Sequence, residues 1–133
     1  MRWLSLEQVL LIHRKAIQRF GGLEGIRDIE SLKSAISYPF QTVGGQEIFP
    51  DLIAKVAALG WMICCHHPFS DGNKRTAHAT VEAALLVNGM TLSGEWYLWE
   101  QTMLGMAEGE ISREEFTQRV RTYVVRAPSL PEE

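Results

Sequence analysis

Apolar residues recur three and four positions apart along nearly the whole chain, and glycine, proline or a capping residue breaks the pattern at intervals. That rhythm commits the chain to a helical bundle. Ser5 followed by Gln8 predicts a capping box, ahead of a stripe of Leu6, Val9, Leu10, His13, Ile17 and Phe20 that Gly21-Gly22 stops. Asp28 predicts the cap of a second helix carrying Ile29, Leu32 and Ile36, which ends near Tyr38 because Pro39 follows. Pro50, as first helical residue, opens a third helix whose Leu52, Val56, Leu59 and Ile63 face inward as far as about His66. A fourth begins around Gly72-Asn73 and runs through Ala77, Val81, Ala84 and Leu85 to Asn88, with Gly89 as terminator. A fifth holds Trp96, Trp99, Met103 and Met106. Ser112 with Glu115 predicts a second capping box for the sixth, with Ile111 and Phe116 placed for a hydrophobic staple. Tyr38 to Phe49 is the longest irregular stretch, a loop or short β-hairpin flap around Gly44-Gly45, and loops of that length tend to be functional. The expected fold is all-α, a compact bundle of about six helices with that flap.

A length of 133 residues suits one domain, expected to span residues 1–126. Residues 127–133, with two prolines and no apolar period, are expected to form a flexible tail. A net charge of -3 and a pI near 5.8 argue against direct binding to nucleic acid or anionic lipid, so any polyanion must meet a local basic cluster. No uniformly apolar run suggests a membrane span or secretory leader, and the cytoplasm is the expected location. Cys64 and Cys65 are neighbours and do not make a disulfide framework; they read as reduced core residues.

One segment, His66-His67-Pro68-Phe69-Ser70-Asp71-Gly72-Asn73-Lys74-Arg75, gathers the polar groups a phosphate site requires. A helix N-terminus offers unpaired N–H groups and partial positive charge, and Gly72-Asn73 opens one where the backbone can approach an anion closely. Lys74 and Arg75 add fixed charge, and arginine can grip two phosphate oxygens at once. Asp71 supplies the carboxylate oxygen that Mg²⁺ prefers when it also bridges phosphates. Histidine is the side chain most often used to remove a proton from an attacking hydroxyl, and His67 is the candidate for that role. Singly, these residues have ordinary readings: a helix C-terminal histidine, an Asp-Gly-Asn turn, a solvated Lys-Arg pair. A zinc site on Cys64, Cys65, His66 and His67 is disfavoured because consecutive helical side chains point apart. A metal-hydrolase triad of His67, Asp71 and His78 would leave Lys74 and Arg75 beside a cation. His13 reads as a hydrogen-bonded, partly buried residue. A non-catalytic nucleotide- or phosphate-binding module remains open, because the same cradle binds phosphates at rest.

The run from His67 to Arg75 resembles the Fic signature, HPFx(D/E)GN(G/K)R. Gly21-Gly22, Gly25 to Asp28, Ser31 to Ala35, Gly44-Gly45-Gln46 and Pro50 also resemble the death-on-curing, or Doc, branch of the Fic/Doc family, so the resemblance covers residues 1 to about 125. Lys74 stands where adenylyltransferase members usually have glycine, and His78 where they have a second arginine; both point towards Doc. The resemblance implies a toxin of a toxin-antitoxin system that transfers a phosphoryl group from ATP to a Ser/Thr hydroxyl of a protein, elongation factor Tu, and blocks translation. AMP transfer is the alternative. By the same resemblance His67 activates the target hydroxyl, Asp71 holds Mg²⁺, and Gly72, Asn73, Lys74 and Arg75 hold the nucleotide phosphates. The flap would align the target peptide by backbone pairing. An internal inhibitory helix marked (S/T)xxxE(G/N) is missing, since Thr91 to Glu95 is followed by Trp96. Inhibition would therefore come from a Phd-like antitoxin whose tail folds on the toxin. Trp96, Trp99, Met103 and Met106 are candidates for its groove, although their helical spacing favours the core.

Overall fold

The computed structural model describes residues 1–128. Six α-helices run in the order α1 (Leu6–Phe20), α2 (Ile29–Ser37), α3 (Leu52–His66), α4 (Asn73–Leu86), α5 (Trp96–Ala107) and α6 (Arg113–Tyr123). None of them is long and apolar enough to cross a membrane. Ser5 and Ser112 close complete capping boxes, and Asp28 accepts from the N–H groups of Glu30 and Ser31. The start of α3 differs from expectation. The Asp51 carboxylate accepts from the Ala54 N–H and is therefore the cap, which places Pro50 outside the helix. At the other end α4 stops at Leu86 rather than Asn88, whose side-chain amide leaves the helical role to bond Arg2 in both directions and Ala84 O.

The third helix is buried on nearly all sides from Ala54 to Cys64, which is why its sequence is apolar almost throughout rather than striped. Around it pack α2, α4, α5 and α6, while α1 lies against α4. Gly60 permits the closest approach. A Cβ there would sit 2.4 Å from Val81 Cγ2 on α4 and 3.3 Å from the Phe116 ring on α6. Leu59, Ile63, Phe69, Val81, Leu85, Trp99, Met103 and Phe116 fill the core. Of the four residues considered for a groove, Trp99, Met103 and Met106 belong to this core, whereas Trp96 is half exposed.

Two small antiparallel pairs complete the fold. The flap is the first: after a 3-10 turn at Tyr38–Phe40, β1 (Thr42–Val43) pairs with β2 (Gln46–Glu47). An isolated hairpin is marginal in water, and this one is held at its roots. Buried Lys55 donates to Glu47 and to the Phe49 carbonyl and lies over the Phe40 ring, and Arg113 donates to the Tyr38 hydroxyl. The second pair was not foreseen from the helical pattern. It joins β3 (Met90–Leu92) to β4 (Val124–Arg126) in the register Met90 to Arg126 and Leu92 to Val124. At the expected tail, Ala127 N–H donates to Gly89 O, and the rest of that segment, 129–133, lies outside the described residues.

Candidate active site

Between α3 and α4 the chain makes a turn bounded by two left-handed residues, His67 (φ 48°) and Gly72 (φ 72°). Phe69 is its anchor, fully buried and stacked on the His13 ring at 3.8 Å with the planes 4° apart. His13 Nε2 lies 2.9 Å from Asp71 O; a carbonyl only accepts, so this nitrogen carries the proton. The bonded, buried role expected of His13 holds. Asn73 reaches back across the turn: its Oδ1 accepts from the Phe69 N–H and its Nδ2 donates to the Phe69 carbonyl, both at 3.0 Å. With its amide engaged in this way, what Asn73 presents to an anion is its backbone N–H.

That N–H belongs to an open helix end. Gly72 caps α4 without a side chain, and among the described residues the N–H groups of Asn73, Lys74 and Arg75 have no acceptor. Three free donors at the positive end of the helix dipole thus belong to a first turn that also carries two exposed cationic residues, Lys74 and Arg75. Arg75 stacks on the Phe20 ring, its Cζ 3.9 Å from the centroid. A glycine is needed at position 72 for its positive φ, and a Cβ would also lie 3.0 Å from Ile17 Cδ1.

Asp71 is exposed, yet its carboxylate is fixed. Oδ2 accepts from the Leu23 N–H at 3.0 Å and Oδ1 from the Gly72 N–H at 2.9 Å. These two donors, Leu23 first, hold its carboxyl below the usual carboxylate range. Each oxygen keeps a lone pair. One fixed carboxylate beside an anion cradle fits Mg²⁺, which is commonly held by a single carboxylate together with substrate phosphates. His67 stands exposed just after α3, and its side chain makes no hydrogen bond among the described residues, leaving both ring nitrogens open to a substrate. His78 does not join Asp71: it is buried one turn along α4, with its Nε2 3.7 Å from Glu82 and its ring against Trp96. Cys64 and Cys65 donate to the carbonyls of Met103 and Met106.

The loop between α1 and α2 is the part that motif reading missed. Gly25 O accepts from Ser70 N–H, and Pro68 O accepts from the N–H groups of both Arg27 and Asp28. Arg27 Nε donates to His67 O at 2.6 Å, and Nη2 to His66 O at 2.7 Å. Gly22 passes so close that a Cβ would sit 2.8 Å from Asp71 Oδ2. The one available signal was the pair of glycines with Arg27-Asp28 ahead of a helix, which marks a tight loop but not its target some forty residues away. On the other side of α4, a cavity of about 350 Å³ opens between α1, α4 and α5, lined among others by Lys15, Arg19, Phe20, Arg75, Glu82 and Trp96.

A model of the Fic/DOC family matches residues 3–85, which include the whole of this site. The chain is similar to the Toxin Doc of Mycolicibacterium smegmatis, 39% identical over 77 residues, or 58% of this chain and 59% of that protein. It is also similar to the Protein kinase doc of Escherichia phage P1, 34% identical over 112 residues, or 84% of this chain and 87% of that one.

Proposed function

The chain belongs to the Fic/DOC family, and from that premise we propose that it is a Doc-like toxin that moves a phosphoryl group from ATP to a Ser/Thr hydroxyl of a protein target. The observation that carries the proposal is the start of α4, which has no side-chain cap, with the N–H groups of Asn73, Lys74 and Arg75 free among the described residues and His67 and Asp71 on the turn before it. Phosphoryl transfer asks a protein mainly to position groups and stabilise charge, and an open helix end with two cations does both. His67 would take the proton of the attacking hydroxyl as its oxygen bonds to phosphorus and the bond from phosphorus to the ADP oxygen breaks. Mg²⁺, held by Asp71 and the phosphates together, would neutralise charge on the transferring group. The backbone N–H groups of Asn73, Lys74 and Arg75, with the Lys74 and Arg75 side chains, would hold the phosphates in place, while Gly72, its own N–H engaged by Asp71, would let them approach the backbone closely.

Elongation factor Tu, in the cytoplasm, is the proposed target, reached through the flap edge by backbone pairing. The cavity between α1, α4 and α5 is the proposed seat of a Phd-like antitoxin. Its basic rim of Lys15, Arg19 and Arg75 and the apolar faces of Phe20 and Trp96 suit an acidic amphipathic helix.

Intact-mass spectrometry of elongation factor Tu incubated with the protein, ATP and Mg²⁺ tests the reading. A gain of about 80 Da is expected, whereas about 329 Da would mean AMP transfer instead. His67→Ala should lower the transfer rate by roughly 10²- to 10⁴-fold while ATP binding survives. Full activity in that variant would refute the general-base role.

A further inference from the structure

We propose that Arg27 is a positioning residue for His67, holding the imidazole in place through the backbone on which it stands. The inference rests on the reading of His67 as the general base. Three observations lead to it. First, His67 is the one non-glycine residue of positive φ among the described residues, in a conformation that L side chains adopt only when the surroundings impose it. Second, among the described residues its exposed side chain has no hydrogen bond to orient it, so the placement of its ring follows from the backbone at this position. Third, the carbonyls of His66, His67 and Pro68, orphaned where α3 ends, are all taken by the same residue. The guanidinium forks onto the first two at 2.7 and 2.6 Å, and the backbone N–H of Arg27 takes the third at 2.8 Å.

The chemistry of the fork singles out arginine. Nε and Nη2 form two nearly parallel donors at fixed spacing, which a lysine ammonium cannot reproduce. No carboxylate among the described residues lies within ion-pair distance of Arg27, so its hydrogen bonds go to neutral carbonyls. A surface ion pair is thus not its purpose. Arg27 touches neither ring nitrogen of His67 and acts on the base only through the main chain.

The test compares wild-type protein with Arg27→Ala, Arg27→Lys and Arg27→Gln in steady-state transfer from ATP. Affinity for ATP is measured separately, and methylguanidinium is added as a rescue agent. Turnover is expected to fall roughly tenfold or more in Arg27→Ala and Arg27→Lys, because a misplaced general base slows the chemical step without loosening the nucleotide. ATP affinity and KM for ATP should stay within about twofold of wild type, and methylguanidinium should partly restore Arg27→Ala. Loss of thermal stability with kcat per folded molecule unchanged would make Arg27 merely structural and overturn the proposal. So would a raised KM for ATP with kcat retained, which would make it a nucleotide ligand. If Arg27→Ala fails to fold, Arg27→Gln, which keeps one donor, decides between the same outcomes. Wild-type protein without any transfer activity would instead strike at the proposed function, and is read from the wild-type arm alone.

Discussion

Gly60→Ala perturbs the contact on which the active-site turn hangs, because α3 delivers His67 and α4 begins at Asn73. The new methyl would stand 2.4 Å from Val81 Cγ2, where carbon atoms normally rest about 3.5–4.0 Å apart, so the two helices must part by roughly 1 Å. Val81 cannot turn aside: it is fully buried and, being β-branched on a helix, has essentially one rotamer. Overpacking of this kind costs about 1–3 kcal/mol, while replacing glycine inside a helix returns about 1 kcal/mol. The net expectation is destabilisation of about 1 kcal/mol, or a Tm lower by about 3–5 °C in a chain of this size. The sign should reverse in a second background. Val81→Ala alone should cost about 2 kcal/mol by emptying space against α3, and adding Gly60→Ala should then refill it and stabilise by about 1 kcal/mol. Urea denaturation of the four proteins closes the cycle, with an expected coupling of about 2 kcal/mol. If Gly60→Ala stabilised the otherwise unaltered protein, or the coupling fell below about 0.5 kcal/mol, the close approach of α3 and α4 would be wrong.

Two further predictions concern the site and its flap. Because the N–H groups of Leu23 and Gly72 hold the Asp71 carboxyl below its usual range, its stabilising contribution is complete above the unfolded value and lost only as pH falls through the lower folded one. The Asp71 carboxylate should therefore stay ionised to lower pH than a free aspartate, and Gly22→Ala, crowding Oδ2, should move its midpoint upward in an NMR titration. At the flap, Glu47→Ala strands the buried Lys55 ammonium, whereas Lys55→Met removes the charge and leaves a half-exposed carboxylate that water can solvate. Denaturant unfolding should show the glutamate variant as the less stable, by on the order of 1–2 kcal/mol, and the opposite order would count against the latch.

The helices were legible because their signals are local. Ser5 with Gln8 and Ser112 with Glu115 lie within one turn and cap as expected. The miss at α3 was local as well: Pro50 and Asp51 are adjacent, both suit a helix start, and only the Ala54 N–H decides between them. The pairing of β3 with β4 was illegible for another reason. Its strands are three residues each, too short for an alternating pattern, and their register depends on partners more than thirty positions away. The site divides along the same line. Residues 67–75 announce reactive groups by their density, while the Arg27 guanidinium, Gly22 and the Leu23 N–H act from a distant loop, through partners that composition does not reveal.

That division has a physical cause. Side chains of Ser5, Asp28, Asp51 and Ser112 satisfy the first turns of α1, α2, α3 and α6, and α5, which lacks such a bond among the described residues, has Glu95 at its cap to answer the dipole. On the proposed function, a side-chain cap at α4 would fill the space of the nucleotide phosphates, and an acidic one would repel them. The start of α4 therefore carries glycine and two cations, and the turn before it cannot be stabilised from the side that faces a ligand. Its support has to come from behind. Phe69 on His13, Asn73 on Phe69, and the loop from Gly22 to Asp28 on the carbonyls of residues 66–68 all bear on the buried or backbone side of the turn. If the motif binds phosphates as proposed, it must remain unsatisfied towards them, and the rest of the chain has to satisfy everything else about it; the contacts of Arg27 with the carbonyls of residues 66–68 then belong to the site as much as the residues that resemble the family signature.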